Sequence, residues 1–277
     1  MISFWVAGRR RSADVGPYAE PVVTDVRARR LLALETFVVV AIAVGLSAAR
    51  SVLSFVGAAL APGGLARQQA TLNGSQAPGQ PWVDLGLQLA GIARLLLPVA
   101  LVVVLITLRG ERLTSIGLRT DRWRRDVAIG AAAAALVGAV GLGAYLVSYA
   151  AGSSLAVVPT TLPPTWWRIP VLILAAAANA ALEEVVVVGY LMHRGKQLGW
   201  SPARAVATSA VLRGGYHLYQ GLAGLLGNLL MGAVFARYFQ RSGRIGPLLV
   251  AHTLIDVVAF CGYLLLAGHV SWLPLPR

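Results

Sequence analysis

Seven apolar stretches separated by short polar connections dominate the chain, at residues 31–61, 83–108, 127–150, 169–191, 203–220, 222–239 and 245–267. Most come close to the roughly 20 residues a helix needs to cross the hydrocarbon core of a bilayer. They also lack the polar stripe that a core helix of a soluble domain carries. The pattern predicts an all-α fold, a polytopic transmembrane helix bundle of about seven spanning helices. The first stretch is long enough to tilt or to kink near Arg50. The third is rich in Ala and Gly and suits close helix packing. The fifth is the least apolar. Residues 1–30 are polar and basic, with Gly16, Pro17 and Pro21 breaking any helix, and read as a flexible cytoplasmic tail.

Composition agrees: 57% of the 277 residues are hydrophobic and 13% charged, against roughly 25% charged in soluble domains, and the mean hydropathy is +0.70. Lys and Arg outnumber Asp and Glu by 24 to 11, a net charge of +13. These cations are almost all Arg, clustered at residues 9–11, 27–30, 109–125, 194–204 and 237–244, between or before the apolar stretches. That placement follows the positive-inside rule and predicts an N-inside, C-outside protein of the plasma membrane. No aromatic or groove-reading motif accompanies the arginines, which argues against nucleic acid as a partner and leaves the bilayer itself. Cys261 is the only cysteine, so there is no intramolecular disulfide and no cysteine-based metal site.

An ionisable side chain at membrane depth costs at least about 2.5 to 3.5 kcal/mol, so each needs a partner, a water-filled cavity or a task. Glu183 and Glu184 fall in the fourth stretch, Arg213 and His217 in the fifth, and His252 and Asp256 in the seventh. Adjacent residues on a helix point about 100° apart, so one glutamate can act while the other braces. His252 and Asp256, four apart, share a helix face. Counted along the helices from the arginine-bearing end, the groups lie at depths of about 10 to 20 Å and are expected to share one cavity opening to the cytoplasm. Glu35, Asp84 and Arg94 stand near span ends or alone and read as structural or snorkelling groups. His193 and His269 fall in loops or at an interface and receive no role.

These residues resemble the motifs of the CPBP intramembrane proteases, which include the CAAX prenyl endopeptidase (Ras-converting enzyme) and the bacterial bacteriocin-processing or self-immunity proteins of the Abi group. The family's Glu-Glu-x-x-x-Arg, usually followed by Gly and Tyr, corresponds to Glu183-Glu184-Val185-Val186-Val187-Val188-Gly189-Tyr190. Its Phe-x-x-x-His corresponds to Arg213-Gly214-Gly215-Tyr216-His217, and its His-x-x-x-Asn/Asp to His252-Thr253-Leu254-Ile255-Asp256. The resemblance covers roughly residues 169–260. It divides the chain into a tail (1–30), N-terminal transmembrane helices (31–150) and a catalytic transmembrane core (151–277).

The resemblance implies an endopeptidase acting on a membrane protein or peptide. Glu183 and His217 would activate a water, His252 and Asp256 would stabilise the oxyanion or hold that water, and Glu184 would orient the site. Such proteins have been called metalloproteases. A divalent metal such as zinc, with Glu183, His217 and His252 as candidate ligands, and a metal-free glutamate mechanism both stay open. Two positions depart from the pattern: Val188 replaces the motif arginine and Arg213 the motif phenylalanine. Arg213 is therefore expected to have taken over the cation's place by pairing with Glu184. The competing readings are a non-catalytic immunity or scaffold member and a proton-coupled transporter.

Overall fold

The computed structural model describes residues 22–152 and 154–273. The basic tail expected over residues 1–30 lies largely outside them. Within the described part the first helix already begins at Val26, capped by the Asp25 side chain, which accepts from the Ala28 N–H at 2.7 Å.

Among the described residues, seven helices cross the molecule: α1 (Val26–Leu60), α2 (Pro81–Leu108), α3 (Trp123–Ala150), α4 (Arg168–Gln197), α5 (Pro202–Tyr216), α6 (Gly221–Ser242) and α7 (Gly246–Leu266). All but α5 are long and apolar enough to span a bilayer. The protein is thus a multi-pass membrane protein built as an α-helical bundle. The fifth expected span forms a helix of only 15 residues, about 22 Å against the roughly 30 Å of hydrocarbon core. It starts sharply, with Ser201 accepting from the Arg204 N–H and Pro202 in the first turn. It ends at Tyr216, just past the Gly214-Gly215 pair, and the chain turns through a short 3₁₀ segment, Leu218–Gln220, into α6.

The irregularity in α1 falls at Ala41–Gly45, a π-helical turn, and not at Arg50. Alpha-helical bonding resumes at Leu46 and continues past Arg50 to Leu60. α4 is the most enclosed helix, with 67% of its apolar window buried against 28% or less in the other long helices. It is therefore the axle of the bundle. α3 approaches α7 closely because Gly130 has no side chain: a Cβ there would lie 2.7 Å from the Pro247 carbonyl.

The arginine clusters of the described part gather at one end. Arg109 pairs with Glu35, Arg194 with Glu111 at 2.7 Å, and Arg244 with Asp126 and Asp121 at 2.7 and 2.8 Å. At the opposite end the loops form a parallel pair of strands that no apolar stretch signals, β1 (Gln69–Asn73) and β2 (Ala156–Thr160), with Gln69 facing Ala156 and Asn73 facing Thr160.

Candidate active site

The motif Glu183–Tyr190 does not continue the α-helix that precedes it. All eight residues form a π-helical stretch inside α4, a widened geometry that recurs at functional sites. Gly189 permits it to pack, since a Cβ there would lie 2.6 Å from the Ile116 carbonyl oxygen in the α2–α3 loop.

Arg213 of α5 meets both glutamates. Its guanidinium forms an ion pair with Glu184, and its Nε lies 3.2 Å from Glu183 Oε2. The guanidinium also stands over the Phe235 ring, 5.3 Å from its centroid. The three side chains are at most 3% exposed. Burying two carboxylates is tolerable only beside such a fork of donors. Val188, at the family's arginine position, is fully buried in an apolar cluster with Ile116, Phe239 and Ile245.

The two glutamates then diverge. Glu184 Oε1 also accepts from His252 Nδ1 at 2.8 Å. Glu183 Oε1 faces His217 Nε2 across 3.8 Å. His217 Nδ1 lies 2.9 Å from the Arg213 carbonyl, an acceptor only, so Nδ1 carries a proton and Nε2 turns toward Glu183. The Tyr216 ring lies tilted against the His217 ring, with centroids 4.8 Å apart and planes at 44°. On α7, Asp256 Oδ2 lies 3.6 Å from His252 Nε2.

Glu183, Glu184, Arg213, His217, His252 and Asp256 thus form one connected cluster. A further member is Asn179, whose amide donates to Asp256 Oδ2 at 3.1 Å and approaches His252 Nε2 at 3.5 Å. Its sequence signal is modest: it is the one polar residue in the run 169–182, four positions before Glu183.

Among the described residues, no three His, Cys, Asp or Glu side chains are grouped as a metal would require. The donors fit zinc poorly, because Arg213 already neutralises both glutamates and His252 Nδ1 is bound to Glu184. No chemical step is therefore derived through a metal.

The other buried polar groups sit apart from this cluster. Glu35 pairs with Arg109 and accepts from Tyr190 Oη at 3.0 Å, and Asp84 accepts from the Gln76 N–H at 2.9 Å. Arg94 and His269 are exposed. His193 lies in a buried helical turn of α4 and not in a loop, with Nε2 2.6 Å from Glu111. Burial pushes the Glu111 carboxyl up, but hydrogen bonds from His193 and Arg194 outweigh it and hold it at about 2.

Among the described residues, the expected opening toward the arginine-bearing end is absent. Val185, Val186 and Val188 pack there against Ile116, Phe239 and Ile245 and close the bundle. Counting depth along helices locates the groups but not the end at which packing is loose. The partly exposed members, His217 (13%) and Asp256 (18%), lie on the other side of the cluster.

Residues 165–258 match the family model of the type II CAAX prenyl endopeptidase Rce1-like proteins. No curated protein and no solved structure matches the chain significantly. The matched stretch contains all three motifs and every residue of the cluster, so the likeness to the CAAX prenyl endopeptidases is carried by the C-terminal helices.

Proposed function

We propose that this protein is an intramembrane endopeptidase of the plasma membrane that hydrolyses a peptide bond in a membrane-associated protein or peptide. The observation that carries this reading is the 3.8 Å separation of Glu183 Oε1 and His217 Nε2. The gap is too long for a direct hydrogen bond and suits one water held by both acceptors at about 2.8 Å.

In this reading Glu183 takes a proton from the water as its oxygen attacks the substrate carbonyl carbon. The resulting oxyanion meets His252 Nε2–H and the Asn179 amide, two donors that Asp256 holds side by side. The proton passes from Glu183 to the leaving nitrogen, the C–N bond breaks, and the new carboxylic acid gives its remaining proton to the amine, so that a carboxylate and an ammonium leave. Glu184 and Arg213 hold the framework: Glu184 fixes the His252 ring and Arg213 balances the charge of both glutamates. The reading of a non-catalytic member starts from the missing motif arginine. The contacts of Arg213 speak against it.

The test compares Glu183→Gln and His217→Ala with the unaltered protein for processing of candidate membrane peptides, after thermal unfolding in detergent has shown each variant folded. Loss of positioned acid–base groups lowers turnover by about 10²- to 10⁴-fold. Folded variants that process as well as the original overturn the proposal.

A further inference from the structure

A groove runs between α5 and α6 on the outer surface of the bundle, and no residue of the cluster lines it. It holds two hollows of about 610 and 560 Å³ that share Val206, Ala233 and Arg237. α5 leaves the arginine-bearing end at Pro202 and α6 returns to that end at Ser242, so position along either helix is also depth in the membrane. The deep end of the groove is apolar, with Val211 61% and Leu229 36% exposed. The shallow end carries Arg237, Tyr238 and Arg241.

Close approach of the two helices makes the floor. A Cβ at Gly232 would lie 3.0 Å from the Ala210 Cα, so the backbones nearly touch beside the hollow that Ala210 and Ala233 line. Gln240 clasps the helices at the shallow end: its amide donates to the Pro202 carbonyl at 2.6 Å, and its oxygen accepts from Arg237 Nη1 at 3.0 Å. That bond occupies one corner of the guanidinium. Arg237 and Arg241 are both exposed, and among the described residues no carboxylate pairs with either. Arg109, Arg194 and Arg244, at the same end, each meet a carboxylate of the chain. Four apart on α6, Arg237 and Arg241 stand on one helix face, at the head of the groove.

Depth decides what fits. From Arg241 to Leu229 α6 rises about 18 Å, and from Pro202 to Val211 α5 rises about 14 Å. One leaflet's half of the hydrocarbon core is about 15 Å thick. The groove is thus one leaflet deep, cationic where head groups lie and apolar where acyl chains lie, and the arginine-rich loops place it on the cytoplasmic side. We propose that it binds one anionic phospholipid of the cytoplasmic leaflet, with the phosphate between Arg237 and Arg241 and an acyl chain running down α5 and α6 to Val211 and Leu229. A zwitterionic lipid brings its own ammonium to the two guanidiniums and gains less. A soluble anion meets the arginines but leaves the apolar floor uncovered. The groove lies outside the catalytic cluster, so the proposal does not depend on the endopeptidase reading.

Lipid titration of the purified full chain in detergent tests it, with native mass spectrometry reading the lipid carried and thermal unfolding reading the protection gained. Phosphatidylglycerol and phosphatidylcholine of identical acyl chains are compared. Two cations at one head group give an expected preference of about 30-fold for phosphatidylglycerol. Arg237→Gln combined with Arg241→Gln is expected to reduce phosphatidylglycerol to the level of phosphatidylcholine. Ala207→Phe, at an exposed position in the groove wall, fills the apolar part without changing charge and is expected to weaken both lipids. Inorganic phosphate alone is expected to give no protection. If the double variant does not fold, Arg241→Gln, which breaks no hydrogen bond or ion pair among the described residues, carries the test with an expected fivefold loss, roughly the share of one cation. Equal binding of the two lipids overturns the proposal, as does a preference that survives loss of the arginines. Undiminished phosphatidylglycerol binding in Ala207→Phe, or protection by inorganic phosphate equal to that by the lipid, overturns it too, because the groove is then not the seat.

Discussion

Replacing Arg213 by Met removes the guanidinium that touches both Glu183 and Glu184 and leaves two carboxylates, at most 3% exposed, without that charge. Breaking a buried pair by removing one partner costs about 3 to 5 kcal/mol. At about 2 to 4 °C per kcal/mol for a chain of this size, that is a fall in Tm of about 6 to 20 °C. The measurement is thermal unfolding of purified protein in detergent. A double-mutant cycle with Glu184→Gln isolates the pair: neutralising Glu184 in the Arg213→Met background is expected to return about 1 to 3 kcal/mol, because one stranded charge disappears. His252 keeps an acceptor in the glutamine, so its bond to position 184 does not blur the result. An Arg213→Met protein that melts within about 2 °C of the original, or single variants whose effects simply add, would refute the reasoning. Charge reversal by Arg213→Glu should be harsher still, and intact folding and activity in that variant would end the idea that this arginine has replaced the one missing at Val188.

Three other outcomes follow from single contacts. Asn179→Ala removes the amide that bonds Asp256 and is expected to lower turnover about tenfold at little change in KM; Asn179→Asp, which sets a second carboxylate against Asp256, should lower it further, and equal turnover in all three proteins would exclude a positioning role. Gly189→Ala drives a Cβ to 2.6 Å from the Ile116 carbonyl oxygen and is expected to cost about 1 to 3 kcal/mol, read as a lower Tm. Glu111, held near 2 instead of its ordinary 4.5, contributes stability that is complete above about pH 4.5 and fades as the pH falls toward 2; the acid limb of Tm against pH should flatten in Glu111→Gln, and an unchanged limb would show that the network with His193 and Arg194 does not hold the end of the bundle.

The spans were legible because lipid demands long apolar helices, and the arginine clusters were legible because they flank those spans. The motif residues stood out for a related reason: Glu183, Arg213, His252 and Asp256 have no business in hydrocarbon unless they meet each other, and they do. Other features depend on packing that no local pattern encodes. The π-helical geometry of Glu183–Tyr190 is a choice among helix types that the same residues could all adopt. The strands β1 and β2 are five-residue segments that pair only because the bundle brings two loops to one end. His193 reads as a loop residue beside Arg194 and Lys196, yet it is buried against Glu111, which lies 82 positions away. Which end of the cluster is closed follows from side chains of several segments meeting around the valines, and depth counting along single helices is blind to it.

The π-helical stretch gives α4 a second property, a phase shift between its two ends. Glu183 and Glu184 at the start of the stretch serve the reaction site, whereas Tyr190 at its end and Arg194 just beyond it grip Glu35 at the arginine-bearing end. In an unbroken α-helix each residue is rotated about 100° from the next, whereas the widened turns rotate less per residue, so the eight residues leave the two ends in a different phase from the one regular winding would give. Winding the same eight residues as a regular α-helix, at unchanged length, would turn one end away from its partners. The four valines therefore act as a spacer whose winding, more than its chemistry, keeps the carboxylates and the anchoring tyrosine facing their separate neighbours.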